Sequence, residues 1–449
     1  MNMASNNKVS ETITARKKVE VRNNRDAGVS LELQWARSRD NGNYRSDNQL
    51  EYEWNEDRYY WRALKGSDSQ KAAWQWLISA APDKATQSRA AGCAASALLH
   101  LPHIPELQSS SANAIVPTRS GYVVVDEVGN VTVHRPSRDH GLRYSIDCFY
   151  DPEADAPLFH EFLDSVLPDI DVRDVVQEFI GYTLTGSARY QIAQVWNGKG
   201  RNGKGTLVEI ISALHHSVAS VRLDALSGFG LQSLVGASLC VVDETPKRGV
   251  DEQLLKSLIS GDFVSIDRKY KDPLIYRSTA KWLLCGNHTL KTSDASDGYW
   301  RRWQFVPFTV QIPESEIIPG LAEKIIETEM PGVLRWAIDG LIRLQRRGRL
   351  TPHAELPEAM RRAKAEARFS TDSVAAWAEE RQPKVLDGQA QPKQAVYGDY
   401  RDWCSAHGSR PVGDSEFWTR LKSIIDGEIK CQRPRIRGKR ISTCNVVFD

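Results

Sequence analysis

The residues with the clearest chemical potential lie in a glycine-rich run between an apolar segment at 192–196, which predicts a buried strand, and a predicted helix at 207–214. Glycines let the backbone turn tightly and direct its N–H groups at a bound anion, and the positive end of the following helix adds to the same field. A lysine in such a run supplies charge for the β and γ phosphates of a nucleotide. The sequence therefore predicts a phosphate-binding loop formed by Gly198, Gly200, Asn202, Gly203, Lys204, Gly205 and Thr206.

One position of this loop departs from the general pattern. The residue after the lysine should carry a hydroxyl group that binds Mg²⁺, but this position is Gly205, and the next hydroxyl group belongs to Thr206. Either Thr206 reaches the metal in a slightly shifted loop, or a water molecule replaces that ligand. The sequence leaves both alternatives open.

Two further apolar strands are predicted to end in residues that suit phosphoryl transfer. The strand at 238–242 runs into Asp243 and Glu244, and the strand at 282–285 runs through Gly286 into Asn287. Asp243 would help to hold Mg²⁺ through water, and Glu244 would polarise the attacking water, because this reaction needs a placed nucleophile and little covalent help. The amide of Asn287 would orient water against the γ-phosphate.

The elements that position these residues alternate between apolar strands and helices over 190–310, which is typical of an α/β nucleotide-binding core. We expect a flexible basic and polar arm over 1–45 and a helical N-terminal region with a short β-hairpin over 46–188. The core would occupy 189–350. A helix and linker would follow over 351–392, and a last compact domain over 393–449.

Composition limits the classes of protein that fit. A chain of 449 residues exceeds a single core, and its net charge of +2 means that any nucleic-acid site is a local basic patch. No run approaches the roughly 18 apolar residues of a membrane span, and the polar N-terminus is unlike a signal peptide, so we expect a cytoplasmic protein with no membrane contact. The seven scattered cysteines include no Cys-x-x-Cys pair, which disfavours a disulfide framework or a zinc ribbon.

Five blocks of sequence, in order, resemble superfamily 3 helicases of the AAA+ class, in the branch of phage and plasmid primase-helicases related to the poxvirus primase-helicase. The blocks are GKGRNGKGT at 198–206, VVDE at 241–244, LISGD at 258–262, LLCGN at 283–287 and DGYWRRW at 297–303. The resemblance is strongest over about 115–345. It implies an α/β AAA+ P-loop NTPase core, with a helical or mixed N-terminal region before it and a C-terminal winged-helix domain after it.

The resemblance also implies a mechanism and an assembly. Members of this family form rings, usually hexamers, that bind ATP and Mg²⁺ between subunits and translocate on single-stranded DNA. Carried over, the half of the site that belongs to one subunit consists of Lys204, Asp243, Glu244 and Asn287. Arg302 resembles the arginine finger that reaches into the neighbouring subunit's site, and Arg301 is the alternative.

A charged run at 262–273 predicts the tip of a β-hairpin. Similar helicases project such a hairpin into the central pore of the ring. Arg268, Lys269 and Lys271 would contact the phosphates of single-stranded DNA there, and Tyr270 would stack on bases or wedge between them. The alternative is a basic turn on the outer surface.

The C-terminal segment predicts a helix near 396–403 and a second helix opened by Asp414, in a helix-turn-helix arrangement. A strongly basic run at 430–440 follows, and then a strand-like segment at 443–448. Together they would form a wing that contacts the phosphates of duplex or forked DNA. Its candidate DNA-binding residues are Arg433, Arg435, Arg437, Lys439 and Arg440. The alternative is a basic hairpin that is merely solvated.

These observations predict an ATP-dependent ring helicase for replication of a phage, prophage or plasmid in the cytoplasm of a bacterial host. The first 110 residues contain no evident primase carboxylate cluster or zinc motif, so a primase would act in trans. One alternative is an origin-binding initiator that ATP switches without processive unwinding. Another is a P-loop phosphotransferase with a small-molecule acceptor, which would need neither Asn287 nor the basic hairpin.

Overall fold

The computed structural model describes residues 28–107, 113–226, 228–243, 250–269, 271–286, 292, 296–386, 388–409, 411–425, 427–436 and 439–448. The chain forms two compact units. The first contains the residues up to Val125 together with Asn130–Tyr150, and the second contains Asp126–Gly129 together with the residues from Asp151 onward. Within the described ranges, no helix combines the length and the apolar character that crossing a bilayer requires.

The first unit packs helices beside antiparallel sheets. Its described elements are α1 (Leu31–Arg39), β1 (Tyr44–Ser46), β2 (Glu51–Asn55), β3 (Tyr60–Ala63), α2 (Gly66–Ala80), α3 (Gln87–His100), β4 (Ala114–Thr118), β5 (Gly121–Val125) and β6 (Val131–His134). The strands pair in the orders β1-β2-β3 and β4-β5-β6. The β5–β6 pairing confirms the short hairpin predicted in the N-terminal region.

Helix α1 lies inside the segment that we expected to be a flexible arm. Ser30 caps it by accepting a hydrogen bond from the backbone N–H of Leu33, a contact that typically contributes about 1 kcal/mol. Trp35 is buried in a cluster with residues of α2 and α3. At the end of the helix, the Nη2 atom of Arg39 lies 2.6 Å from the Oε1 atom of Glu51 in a buried ion pair. Residues 28–45 are therefore part of the folded first unit.

The second unit contains the α/β core and the C-terminal region. The described elements of its core are α4 (Pro157–Val166), α5 (Ile170–Thr183), β7 (Ala193–Asn197), α6 (Lys204–Leu214), β8 (Val218–Ser220), β9 (Leu239–Val242), α7 (Glu252–Ser260), β10 (Phe263–Arg268), β11 (Lys271–Arg277), β12 (Lys281–Gly286), α8 (Asp297–Trp300), β13 (Trp303–Pro307), α9 (Leu321–Thr328), α10 (Met330–Arg347) and α11 (Glu358–Thr371).

A five-stranded parallel sheet organises this core, in the order β13-β7-β12-β9-β8. All four residues of β9 are buried, as are the first four residues of β7, β12 and β13. Such burial is typical of parallel strands covered on both faces, and it explains their continuous apolar runs. The sheet confirms the mixed α/β class predicted from the sequence.

Helices α4 and α5 belong to this second unit, whereas we expected them at the end of an N-terminal region over 46–188. Helix α5 packs closely against α10, because Gly181 and Gly340 leave room for the backbone of the facing helix. The side chain of Gln177 also donates a hydrogen bond to the backbone oxygen of Trp336 at 2.7 Å. The boundary between the units therefore falls near residue 150.

The antiparallel pair β10–β11 forms the hairpin predicted around residue 268. Val264, Ile266, Leu274 and Tyr276 point inward and are buried. The hydroxyl oxygen of Tyr276 accepts a hydrogen bond from the backbone N–H of Gly236 at 3.0 Å. The base of the hairpin is thereby fixed to the core, and its tip is the part that carries the basic side chains.

The C-terminal region contains α12 (Ser373–Arg381), β14 (Lys384–Val385), β15 (Gln391–Pro392), α13 (Lys393–Ala406), α14 (Asp414–Ile424), β16 (Cys431–Gln432), β17 (Arg435–Ile436), β18 (Lys439–Arg440), β19 (Thr443–Cys444) and β20 (Val446–Val447). One apolar cluster joins α12, α13 and α14 through Trp377, Tyr400 and Phe417. Strand β15 pairs with β19, so part of the expected linker over 351–392 is built into this last folded region.

Candidate functional site

The glycine-rich loop connects the carboxyl end of β7 to the first residue of α6, as the sequence predicts. Gly203 precedes the helix with a left-handed φ of 73°, and a Cβ at this position would overlap the side chain of Val166. Glycine is therefore needed there for both backbone conformation and space. The first N–H groups of an α-helix have no partner inside the helix, so this end of α6 can donate hydrogen bonds to an anion.

The outer face of the loop is open. A Cβ built on Gly200 or on Gly205 would meet no atom within 4 Å. Thr206 is half-buried in the first turn of α6, beside the exposed Gly205. This cradle of backbone groups and open space fits the phosphates of a nucleotide.

Lys204 is buried, and its ammonium group is held within the loop. Its Nζ atom donates to the backbone oxygen of Gly198 at 2.8 Å and to the Oδ1 atom of Asn202 at 3.1 Å. Burial lowers the pKa of Lys204, and the nearby thiol of Cys285 acts in the opposite direction. The loop therefore fixes the position of the Lys204 ammonium group, which we predicted from the sequence to bind phosphate.

Asp243 lies at the same edge of the sheet as the loop. It follows Val242, which pairs with Leu284, while the next residue of β12, Cys285, pairs with Trp196 of β7. Asp243 is therefore level with the carboxyl end of β7. Its carboxylate is exposed and free to face a ligand.

The electrostatic environment of Cys285 agrees with this placement. Burial is the main reason why the pKa of Cys285 is raised to about 12, the charge of Asp243 raises it further, and the charge of Lys204 lowers it. Both charged groups therefore lie near enough to the thiol to shift its pKa. Nothing in the sequence distinguishes Cys285 from the other six cysteines, because its position near both charged residues depends on the pairing of the strands.

The metal assignment rests on Asp243 and Thr206. Mg²⁺ commonly binds through one or two carboxylates together with substrate phosphates and water, and an exposed carboxylate beside an open phosphate cradle fits that chemistry. The Mg²⁺ site itself, and the choice between Thr206 and water as a ligand, both stay predictions. Glu244 and Asn287, assigned from the sequence to water activation, lie outside the described residues.

Arg302 and Arg301 lie at the amino-terminal ends of the strands, on the side of the sheet opposite the glycine-rich loop. The backbone oxygen of Arg302 accepts a hydrogen bond from the N–H of Ala193, the first residue of β7. The guanidinium of Arg302 donates to the hydroxyl of Ser260 from Nε at 3.1 Å and from Nη2 at 2.9 Å. Arg301 is exposed and donates to the side chain of Gln191 at 3.0 Å. Neither arginine is brought together with Lys204 in its own chain.

The basic residues of the hairpin are placed at its tip. Lys269 and Lys271 are exposed, and the Nε atom of Arg268 donates to the backbone oxygen of Asp272 at 2.9 Å. Tyr270 lies outside the described residues. The tip therefore presents two lysine side chains to solvent.

In the C-terminal region, strands β17 and β18 pair Arg435 with Arg440 across a short hairpin. Arg433 and Arg440 are exposed. Of Arg435 and Lys439 only the backbone is described, and Arg437 lies outside the described residues. The helix α14 begins at Asp414 with Gly413 as its N-cap, one residue earlier than the cap expected from the sequence.

Comparisons with known proteins give partial similarities. A family described as a family of unknown function (DUF5906) matches residues 196–302. The chain is also 27% identical over 161 residues to a protein of Acanthamoeba polyphaga mimivirus named "Putative helicase L207/L206". That match covers 33% of this chain and only 16% of the mimivirus protein.

Among solved structures, the chain is similar to apo structures of the NrS-1 C-terminal region. One, the A form, has a TM-score of 0.45 and 14% identity, and the match covers 89% of this chain and 94% of that chain. Another, of residues 305–718, has a TM-score of 0.45 and 15% identity, with 90% and 96% covered. Similarity at this level assigns no activity to the present chain.

Proposed function

We propose that this chain is an ATP-dependent DNA helicase of the superfamily 3 type, which assembles as a ring and translocates on single-stranded DNA during replication of a phage, prophage or plasmid. The observation that supports the proposal is the placement of Lys204 and Asp243 at the same carboxyl end of the parallel sheet, where the charge of each shifts the pKa of Cys285. Ligands of open α/β sheets commonly bind at this edge.

In this proposal, the loop binds the phosphates of ATP through its backbone N–H groups and through Lys204. A bound Mg²⁺ would supply positive charge to the phosphates during transfer. Asp243, with Thr206 or water, would hold that ion. Glu244 would polarise the attacking water and Asn287 would orient it, both by resemblance to the family.

The position of Arg302 favours action between subunits. Strand β7 has five residues, so at a rise of about 3.3 Å per residue its first and last Cα atoms are about 13 Å apart. An arginine beside the first residue of β7 is too distant to reach a nucleotide on its own loop. Repeated head-to-tail contacts close into a ring, and such contacts would bring this arginine to the loop of a neighbour. A hexamer is the ring size that the family resemblance favours.

DNA binding is assigned to two basic surfaces. The exposed Lys269 and Lys271 at the hairpin tip would follow the phosphates of a single strand in the pore. The basic segment at 430–440 would contact duplex or forked DNA as the wing of a winged-helix domain. A primase would act in trans, and the assembly would work in the cytoplasm of a bacterial host. The partial similarity to a mimivirus protein named as a putative helicase supports the helicase part of this proposal.

A strand-displacement assay tests the proposal. The purified chain is incubated with ATP, Mg²⁺ and a fluorescently labelled DNA fork, and release of the labelled strand is followed with time. A helicase releases the strand only when ATP is hydrolysed. Binding of the fork without release would favour the ATP-switched initiator, and ATP turnover that DNA does not stimulate would favour the phosphotransferase.

A further inference from the structure

The phosphate-binding loop is hydrogen-bonded to the segment that follows β13, which is one of the two outer strands of the sheet. The backbone N–H of Phe308 donates to the oxygen of Asn197 at 2.7 Å, and the N–H of Ile312 donates to the oxygen of Arg201 at 2.8 Å. The two acceptor residues, Asn197 and Arg201, flank residues 198–200 of the loop. The segment 308–312 therefore runs alongside the loop and supports its backbone.

The side chain of Asn202 joins this segment to the catalytic lysine. Asn202 is only 3% exposed, and its Nδ2 atom donates to the backbone oxygen of Phe308 at 3.4 Å. Its Oδ1 atom accepts the hydrogen bond from Lys204 Nζ at 3.1 Å. An asparagine side chain carries a donor and an acceptor on one rigid amide group, so it can serve both contacts at once.

Gly198 makes this arrangement sterically possible. A Cβ at position 198 would overlap both the Nδ2 atom of Asn202 and the backbone oxygen of Phe308. The amide of Asn202 therefore fills space that any other residue at 198 would occupy. The lysine, the asparagine and the supporting segment form one packed unit behind the open face of the loop.

We propose that Asn202 is a positioning residue, which holds the ammonium group of Lys204 at the loop and fixes its place relative to the segment 308–312. This inference rests on the proposed function, because it concerns how the loop prepares to bind ATP. A lysine that is already held in place loses less conformational freedom when phosphate binds. Asn202 would thus act on ATP affinity through Lys204, without touching the reacting atoms.

The test is a double-mutant cycle on ATP affinity, measured without DNA by titrating a fluorescent ATP analogue. Asn202→Ala should weaken binding on the order of tenfold, the usual scale for a hydrogen bond to a charged group. In a Lys204→Ala background, the same substitution should have almost no effect, because the group that it positions is gone. A purely structural asparagine would give equal losses in both backgrounds.

Two further variants keep the test decisive. Asn202→Asp retains the size of the side chain but places a carboxylate beside Lys204, so it should weaken ATP binding more than Asn202→Ala does. Asn445→Ala is the matched control, because Asn445 is also buried and uses its side chain as one acceptor, from Lys430 N, and one donor, to the oxygen of Glu428. This control should leave ATP affinity unchanged.

Four results separate the inference from the proposed function. Additive losses in the cycle, or losses that follow the fall in melting temperature across the variants, would overturn the role of Asn202 while ATP binding by the parent stands. Normal ATP affinity in Asn202→Ala would do the same. A parent chain that binds no ATP would overturn the proposed function, and the inference with it.

Discussion

Mixing two inactive variants should restore ATP hydrolysis if Arg302 acts on the neighbouring subunit's nucleotide. Lys204→Ala removes the charge that we assign to phosphate binding, and Arg302→Ala removes an arginine whose backbone lies beside the first residue of β7, at the opposite end of that strand from its own loop. Arg302→Ala alone should lower turnover by a factor on the order of a thousand, the scale of an arginine finger. Each variant still carries the group that the other lacks.

The expected recovery follows from counting interfaces. A competent interface needs a subunit with intact Lys204 facing a subunit with intact Arg302, and random equal mixing provides this at about a quarter of interfaces. The assay is steady-state phosphate release at constant total protein and varied ratio of the two variants, with subunit exchange verified by fluorescent labels. Turnover should peak at the equal mixture. In the control, Lys204→Ala is mixed with Arg349→Ala instead of Arg302→Ala. Arg349 is an exposed arginine paired with Glu355, so this variant should hydrolyse ATP normally, and the control shows the effect of mixing with an active protein.

Verified exchange without recovered turnover would refute the assignment of Arg302 to a neighbouring site. The same mixing experiment with Arg301→Ala would then follow, because Arg301 is the sequence-based alternative. If turnover recovers when Lys204→Ala is mixed with Arg301→Ala but not with Arg302→Ala, then Arg301 is the residue that acts on the neighbouring subunit's site. Recovery with neither pair would remove the arginine finger from this segment.

Three other outcomes are expected. If Thr206 binds Mg²⁺, Thr206→Ala should shift the Mg²⁺ dependence of ATP hydrolysis to higher concentrations, and identical titrations in variant and parent would contradict this role. Replacing Lys269 and Lys271 by glutamine should abolish the stimulation of ATP hydrolysis by DNA and reduce the salt slope of single-strand binding by about 0.7 per lost phosphate contact; an unchanged slope would exclude phosphate contacts there. Burial, and then the charge of Lys281, lower the pKa of His215 to about 3. Because the unfolded chain then binds more protons between pH 3 and about 6.5, stability should fall as the pH falls through this range, and urea titrations of His215→Gln should show a weaker loss.

The core of the fold could be predicted because its signals are local. Strands β7, β9 and β12 lie within one or two residues of the apolar runs at 192–196, 238–242 and 282–285. Each run is followed by a glycine, a charged residue or an amide residue, and parallel strands that are buried on both faces have few polar interruptions. The loop and Asp243 could be placed for the same reason, since they directly follow these strands.

The parts that the sequence did not predict depend on contacts between distant residues. Helix α1 is stabilised by the ion pair of Arg39 with Glu51 and by the burial of Trp35. Neither contact produces the regular apolar spacing by which a helix is recognised in a sequence. The amide of Asn202 meets the backbone of Phe308, which is 106 residues away. A backbone oxygen leaves no mark in the sequence, so the loop could be recognised while its support could not.

The C-terminal boundary illustrates a second limit. Composition around 382–392 is typical of a linker, yet β15 pairs with β19, and Trp377 of α12 is fully buried in the C-terminal cluster. Proline and glutamine do not oppose pairing at the end of a short edge strand. A deletion that tests the DNA-binding role of this region should therefore begin near Ser373, since cutting at 393 would expose the apolar face of α12.

We propose that the site containing Lys204 hydrolyses ATP and that DNA stimulates this hydrolysis. The most direct measurement compares ATP turnover by the parent chain and by Lys204→Ala, with and without single-stranded DNA, alongside the melting temperature of each protein. We expect the parent to hydrolyse ATP faster when DNA is present, and the variant to melt normally but to show no turnover in either condition. Equal turnover in the two proteins, or turnover by the parent that DNA leaves unchanged, would contradict the claim.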